Sequence, residues 1–170
     1  YYYSHVKFEA SPLNRVLQIF APGNSWAGSE GGTAEKSNKA AYLVNIADEV
    51  RLWTITSGAV TYAATAPYSP TNTNVPTSTA AYAAGTLYKN VTLDEAGNAA
   101  VEYKDLEGRV VLKKVQIGTI AADYSGYTGF LCTYYVYDDL GQLRFVIPPK
   151  AVAQMLLAGN WVLTSALVNE

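Results

Sequence analysis

Few residues in this sequence combine a reactive side chain with a usable spacing. His5 is the single histidine and Cys132 the single cysteine of 170 residues. A Ser–His or Cys–His nucleophile needs both groups within hydrogen-bond reach. His5 stands beside the first residues and reads as a solvated side chain. Cys132 lies in Phe130-Leu131-Cys132-Thr133-Tyr134-Tyr135, where a free thiol behaves as a small buried hydrophobe. No His or Lys stands close to it in sequence to hold it as a thiolate. One Cys cannot close an internal disulfide, and one Cys with one His is too few for an ordinary zinc site.

The carboxylates come in adjacent pairs, Asp94-Glu95 and Asp138-Asp139. Glycosidase acids face each other across a cleft, which neighbours in one turn cannot do. A calcium loop needs oxygen ligands at alternating positions, and Asp94-Glu95-Ala96-Gly97-Asn98 lacks them. Gly31-Gly32 belongs to a polar stretch without the spacing of a phosphate-binding loop. The sequence is therefore expected to hold no catalytic residue, metal site or cofactor, and not to be an enzyme.

What the carboxylates do share is a turn. Asp94 to Gly97, Asp105 to Gly108 and Asp138 to Gly141 each read Asp-x-x-Gly. Asp at the first position of a type I turn accepts a bond from the backbone two residues on, and Gly at the fourth takes the left-handed conformation that closes a bulged hairpin. The flanks alternate with period two. Leu87, Lys89, Val91 and Leu93 share one face, with Tyr88, Asn90 and Thr92 on the other. Ala99, Val101 and Tyr103 alternate with Ala100, Glu102 and Lys104, and Val110 to Val115 continues after the second turn. Around the third turn Tyr135 and Tyr137 oppose Tyr134 and Val136, and Leu143, Phe145 and Ile147 form the return strand. This is a β-meander.

Two earlier hairpins are expected as well. Phe8 to Leu17 carries a Pro-initiated turn with Asn14 where Gly would stand. Tyr42 to Val44 and Val50 to Ile55 flank Asn45-Ile46-Ala47-Asp48. Residues 23–39 read as a surface loop, residues 67–79 as a flexible Thr/Pro-rich insertion, and residues 118–129 as a shorter connection. Pro149 suits a first helical position, with Val152, Met155 and Leu156 as the apolar stripe and Gly159 as the stop. A second short helix is read at residues 165–168.

Composition narrows the classes further. Charged residues make up 15% of the chain, against about 25% in ordinary soluble domains. With 12 basic and 14 acidic residues the net charge is −2, which speaks against nucleic acid as a partner. No apolar run approaches the roughly 20 residues of a membrane-spanning helix. The surplus residue is tyrosine, with 14 copies. Tyr103, Tyr135 and Tyr137 stand just before turns, as strand-forming repeat residues would, while Tyr62, Tyr68 and Tyr82 lie in or beside the insertion.

Tyr135-Val136-Tyr137-Asp138-Asp139-Leu140-Gly141-Gln142-Leu143 resembles the YD repeat of the bacterial Rhs family, Tyr-x-Tyr-Asp-x-x-Gly-Arg-Leu, with Gln142 in place of Arg. Tyr103-Lys104-Asp105-Leu106-Glu107-Gly108-Arg109-Val110 is similar to a second copy, with Lys104 inserted between Tyr and Asp. Asp94 to Asn98 is a partial copy without the tyrosines. The order of Ser11 to Val16, Asp48 to Trp53, Ala84 to Lys89 and Tyr134 to Asp139 also resembles the N-terminal part of YD-repeat proteins of the Bacteroidetes. The resemblance implies a mainly-β fold in which antiparallel hairpins build a curved sheet, with one or two short helices near the C-terminus. It implies a non-catalytic structural segment, residues 1–170 being one region cut from a longer secreted or cell-surface chain. Its partners would be the remaining repeats and a C-terminal cargo, toxins among them. Tyr103, Asp105, Gly108, Arg109, Tyr135, Tyr137, Asp138, Gly141, Leu143, Asp94 and Gly97 would define the repeat turns. The Asp-Pro-x-Gly-type self-cleavage motif of toxin-bearing members is not found here. The alternative is an adhesion module that binds a glycan or cell-surface ligand through exposed Tyr and Trp.

Overall fold

The computed structural model describes residues 3–55 and 75–163. The period-two segments fold as strands. The first half holds β1 (His5–Phe8), β2 (Val16–Phe20), β3 (Ser37–Val44), β4 (Arg51–Thr54) and β5 (Thr77–Ala81). The second half holds β6 (Tyr88–Leu93), β7 (Ala99–Lys104), β8 (Val110–Gln116), β9 (Phe130–Tyr137) and β10 (Leu143–Ile147). Two helices join them, α1 (Asn24–Ala27) after β2 and α2 (Pro149–Leu157) after β10. Eight strands form one antiparallel sheet in the order β1-β2-β3-β6-β7-β8-β9-β10, and β4 pairs with β5 as a separate two-stranded sheet.

The three Asp-x-x-Gly turns close in the same way. Each Asp carbonyl accepts from the Gly N–H at 2.9–3.0 Å, and each Asp N–H donates to the carbonyl four residues on at 3.0 Å. Each Asp Oδ1 also accepts two backbone N–H bonds, from Ala96 and Asn98, from Glu107 and Arg109, and from Leu140 and Gln142. Gly97, Gly108 and Gly141 have φ of +84°, +82° and +76°, where a Cβ is strained. The first hairpin also matches its reading: Asn14 has φ +47° and donates its N–H to the Ser11 carbonyl, and β1 pairs with β2.

Pairing sets the faces. One side of the main sheet carries Val91, Val101, Tyr103, Leu112, Cys132, Tyr134, Val136 and Ile147, all buried. The strap at residues 45–50, β4 and α2 pack over it, α2 and β4 both contacting β9. In α2, Pro149 occupies the first turn as read, and Gly159 follows with φ +65°. The buried residues are Ala151, Val152 and Met155, while Leu156 is turned outward, because the buried stripe is centred between Ala151 and Val152, with Met155 on it and Leu156 at its margin.

Several expectations need correcting. Residues 42–55 do not form a hairpin, since β3 pairs with β2 and β6, whereas β4 pairs with β5. The reason lies at Asn45, whose side chain ties the end of β3 to a distant segment: its amide donates to the Ala83 carbonyl and its Oδ1 accepts the Leu87 N–H, which directs the chain across the sheet rather than back along it. The stretch 23–39 contains α1 and the start of β3. Within the expected insertion, residues 77–79 belong to β5, and residues 67–74 lie outside the described residues, as does the helix read at 165–168.

Among the described residues, both ends of the eight-stranded order, β1 and β10, have a strand on one side only. Among the described residues no strand pairs with the outer edge of β10, whose backbone groups are a template for a further strand. Static light scattering over a concentration series is expected to show self-association; a strict monomer throughout would contradict edge pairing.

Candidate functional site: a buried polar cluster and the cleft beside it

Apolar strands would normally exclude lysine, yet Lys89 on β6 and Lys114 on β8 stand on the covered face, at 2% and 1% exposure. Each is held by something brought across the sheet. Lys89 Nζ donates to Glu49 Oε1 at 2.5 Å and to the Asp123 carbonyl at 2.9 Å. Glu49 is buried in the strap at residues 45–50, and its carboxylate also accepts from the Tyr103 hydroxyl at 2.6 Å and from the Ile46 N–H at 2.9 Å. Among the described residues, no carboxylate lies at bridging distance from Lys114. Its Nζ donates to the carbonyls of Tyr124 (2.6 Å) and Gly126 (3.0 Å) and sits over the rings of Phe130 and Tyr103. Of the two buried lysines, Lys89 is thus paired with a carboxylate and Lys114 is held by carbonyls and aromatic rings.

Burial decides the protonation of the surrounding groups. Desolvation pulls Lys114 down to about 8, against the favourable charge of Glu49. Desolvation also pushes the Cys132 thiol up to about 11, although Lys114 opposes it. Tyr103 is raised by desolvation and by its bond to Glu49, Tyr127 is pushed up to about 12 by desolvation, and Tyr134 is raised for the same reason. Burial therefore favours the protonated form of Cys132, even though Lys114 is its direct cross-strand partner. The tyrosines continue the network upward: the Tyr127 and Tyr134 hydroxyls are 2.5 Å apart, Tyr127 donates to the Glu49 carbonyl, and Tyr134 accepts the Arg51 N–H.

Next to the cluster lies the row of turns. The β7–β8 and β9–β10 turns are at the same end of the sheet and interlock. Arg109 Nε donates to Asp105 Oδ2 at 2.7 Å, its guanidinium lies over the Tyr137 ring, and its tip reaches Gly141 in the neighbouring turn. The Tyr137 hydroxyl donates to the Val110 carbonyl. Gln142 stands where Arg109 stands in the second turn, and Arg144, two residues on, reaches Asp138 Oδ2 at 3.4 Å instead. Between this row and β4 opens a cleft of about 180 Å³, lined among others by Arg51, Trp53, Tyr82, Asp105, Tyr135 and Asp138.

The residues singled out as repeat-defining take different places in the structure. Asp94, Gly97, Asp105, Gly108, Asp138 and Gly141 form the turns; Arg109 and Tyr137 join adjacent turns; Leu143 opens β10 opposite Tyr137 and is half exposed. The tyrosines do not repeat in space. Tyr103 is fully buried on the covered face, while Tyr135 and Tyr137 stand on the opposite one. The extra residue Lys104 shifts Tyr103 by one position from its turn, and one position reverses the face. The polar cluster went unread in the sequence. Its signal was Lys89 among Leu87, Val91 and Leu93, a cation in an apolar register that requires a buried partner.

Gly141→Ala places a Cβ 2.8 Å from the Arg109 guanidinium at positive φ, whereas Gly97→Ala meets open space. Both are expected to lose about 1–2 kcal/mol from left-handed strain, with Gly141→Ala the larger loss and Asp138→Ala in the same range. Thermal unfolding of the three variants checks this, and three unchanged midpoints would overturn the turn assignment.

The class these observations define is an antiparallel β-sheet protein with hairpin turns of one repeated type and a covered polar cluster. A family model described as a domain of unknown function, DUF6443, matches residues 1–40. That span covers β1, β2 and α1 and ends within β3, whereas the YD-like motifs lie at residues 103–110 and 135–143. No curated protein and no solved structure matches the chain. Among the described residues, no group of His, Cys, Asp and Glu could hold a metal ion, and no helix is long and apolar enough to cross a membrane.

Proposed function

We propose that the chain is a non-catalytic wall segment of a larger, secreted or surface-held YD-repeat protein, contributing to a β-shell around or beneath a C-terminal cargo. The supporting observation is the run of hairpins from β6 to β10, closed by three turns of one geometry, with the second and third interlocked through Arg109. In this reading the turns set strand length and register, and the β10 edge receives the next strand of the parent chain. The coding sequence beyond Glu170 tests it. Further Tyr-x-Tyr-Asp-x-x-Gly copies followed by a terminal domain of different composition are expected, and a reading frame without them would sink the proposal.

A second reading is adhesion through a glycan. It is favoured by the cleft beside β4, which joins Trp53, Tyr82 and Tyr135 to polar neighbours. The burial of Tyr103 and Tyr134 takes those two rings out of consideration as platforms for a bound sugar.

A further inference from the structure

The main core stops short of the first hairpin. Among the described residues its members begin at Ala41, and none comes from residues 3–40. The buried residues of that stretch, Phe20, Ala27 and Ser37, pack apart from it, with the His5 ring 5.7 Å from that of Phe20.

The ladder that attaches the hairpin is also short. Gln18, Ile19 and Phe20 pair with Lys39, Asn38 and Ser37, and there the pairing ends, while β6 follows β3 from Lys39 to Val44. The Asn45 N–H donates to the Leu87 carbonyl, which fixes the alternation along β3. Ala41 and Leu43 therefore bond to β6, whereas Asn38, Tyr42 and Val44 turn their backbone groups toward β2. Among the described residues, Asn38 meets Ile19 there, and no strand residue pairs with Tyr42 or Val44 on that side. The Tyr42 hydroxyl donates to the Val16 carbonyl instead, with the Arg15 guanidinium over its ring. Along the joint runs a groove of about 290 Å³, lined by Leu17, Gln18, Ala41, Val91, Leu93 and Tyr124. Side chains do not fill this joint as they fill the core.

One side chain ties the joint together. The Glu35 carboxylate accepts from Gln18 Nε2 on β2 and from the Gly31 N–H in the connection. It also accepts from Ser37 Oγ at 3.0 Å and from Lys39 Nζ at 2.9 Å, both on β3. Its side chain is 9% exposed, so these bonds are shielded from water. The bond from Lys39, followed by that from Gly31, holds the carboxyl at about 2, and it is ionised at neutral pH.

We propose that residues 3–36 form a hinged flap, latched by Glu35, that opens away from β3 while the sheet from β3 to β10 stays folded. Three features carry it: a core without members from the flap, a ladder confined to Ser37–Lys39, and an unfilled joint. Regions with few buried apolar contacts open at lower free energy than the core, and they open as units. Opening turns β3 from an inner strand into an edge, with the backbone groups of Asn38, Tyr42 and Val44 presented to an incoming strand. The device lies at the β1 side of the sheet, apart from the turn row and the buried polar cluster.

Residue-resolved amide hydrogen exchange of the full chain at neutral pH tests the flap. The Ile19 and Asn38 amides, which bond across the joint, are expected to exchange at least about a hundredfold faster than those of Ala41 and Leu43. Asn38, Ala41 and Leu43 lie on one strand, so a general loosening of β3 would not separate them. Glu35→Ala should speed Ile19 and Asn38 by about tenfold or more and leave Ala41 and Leu43 unchanged. Tyr42→Phe keeps the ring under Arg15 and removes only the bond to Val16, and it should act in the same direction by a smaller factor. Circular dichroism identifies a variant that fails to fold; the unaltered chain and Tyr42→Phe then decide. Ile19 and Asn38 as slow as Ala41 and Leu43 would show one cooperative unit and overturn the flap. A Glu35→Ala effect that reaches both sets alike, or neither, overturns the latch.

Discussion

Glu49→Ala is expected to lower the unfolding free energy by about 3–5 kcal/mol, the usual cost of removing one partner from a buried ion pair. Glu49 and Lys89 are both buried, so the orphaned ammonium keeps the Asp123 carbonyl but loses the carboxylate it is paired with. The same substitution strips the Tyr103 hydroxyl of its acceptor at 0% exposure of the residue and releases the Ile46 N–H. Against a total stability of about 5–15 kcal/mol for a domain, such a loss is large. Urea unfolding is expected to show a lower midpoint with an unchanged slope. The double variant Glu49→Gln, Lys89→Met should recover a substantial part of the loss, because it removes the stranded charge as well. A single-variant cost below about 1 kcal/mol would mean that water reaches the pair, as at exposed ion pairs, and would remove the cluster from the account of this fold.

The cluster also shows which features of the fold a sequence exposes. The three turns were legible because their determinants sit within five residues: an Asp side chain, two backbone N–H groups and a Gly at positive φ. The covered face of β6 and β7 was legible for a related reason, since alternation in one strand is a local pattern. Pairing of β3 with β6 was not, because the deciding contacts join Asn45 to Ala83 and Leu87 across a long stretch of chain. Distance in sequence likewise hid Glu49 from Lys89, and Lys114 from Cys132, which face each other only once β8 and β9 pair. The cleft needed both kinds of information. Its floor is made of readable turns, while the local pattern of β4, which supplies Arg51 and Trp53, points to a hairpin with residues 42–44 that does not form. The repeat motif therefore accounts for strand ends and turn bonding, and the chemistry of the cluster and cleft comes from segments laid over the sheet.

Stability should rise, not fall, as pH is raised from 8 to 9. Lys114 has a pKa of about 8 in the folded chain, below its ordinary value of 10.5. Between those values the unfolded chain binds more protons than the folded one, and stability increases with pH wherever that holds. The gain from pH 8 to 9 is about 1 kcal/mol, out of about 3 kcal/mol that the full shift represents. A neutral amine retains two N–H groups, enough for both the Tyr124 and Gly126 carbonyls, so deprotonation relieves burial of charge without breaking the contact. The groups around Lys114 set the upper limit of the window. Glu49 from the strap and Asp123 from the 118–129 connection favour the cation, and Lys89 on β6 opposes it. Cys132 on β9 titrates at about 11 when folded but near 9 when exposed, and Tyr103, Tyr127 and Tyr134 are raised above 10. These acids are held neutral by the fold, so their contribution is lost as pH climbs above 9 and then above 10, and the stability curve turns over there. Urea midpoints from pH 7 to 10.5 should trace a rise followed by a fall. In Lys114→Met the fall should remain and the rise should vanish; a rise that survives in that variant assigns the titration to another group, and a flat profile in the unaltered chain shows that Lys114 is solvated.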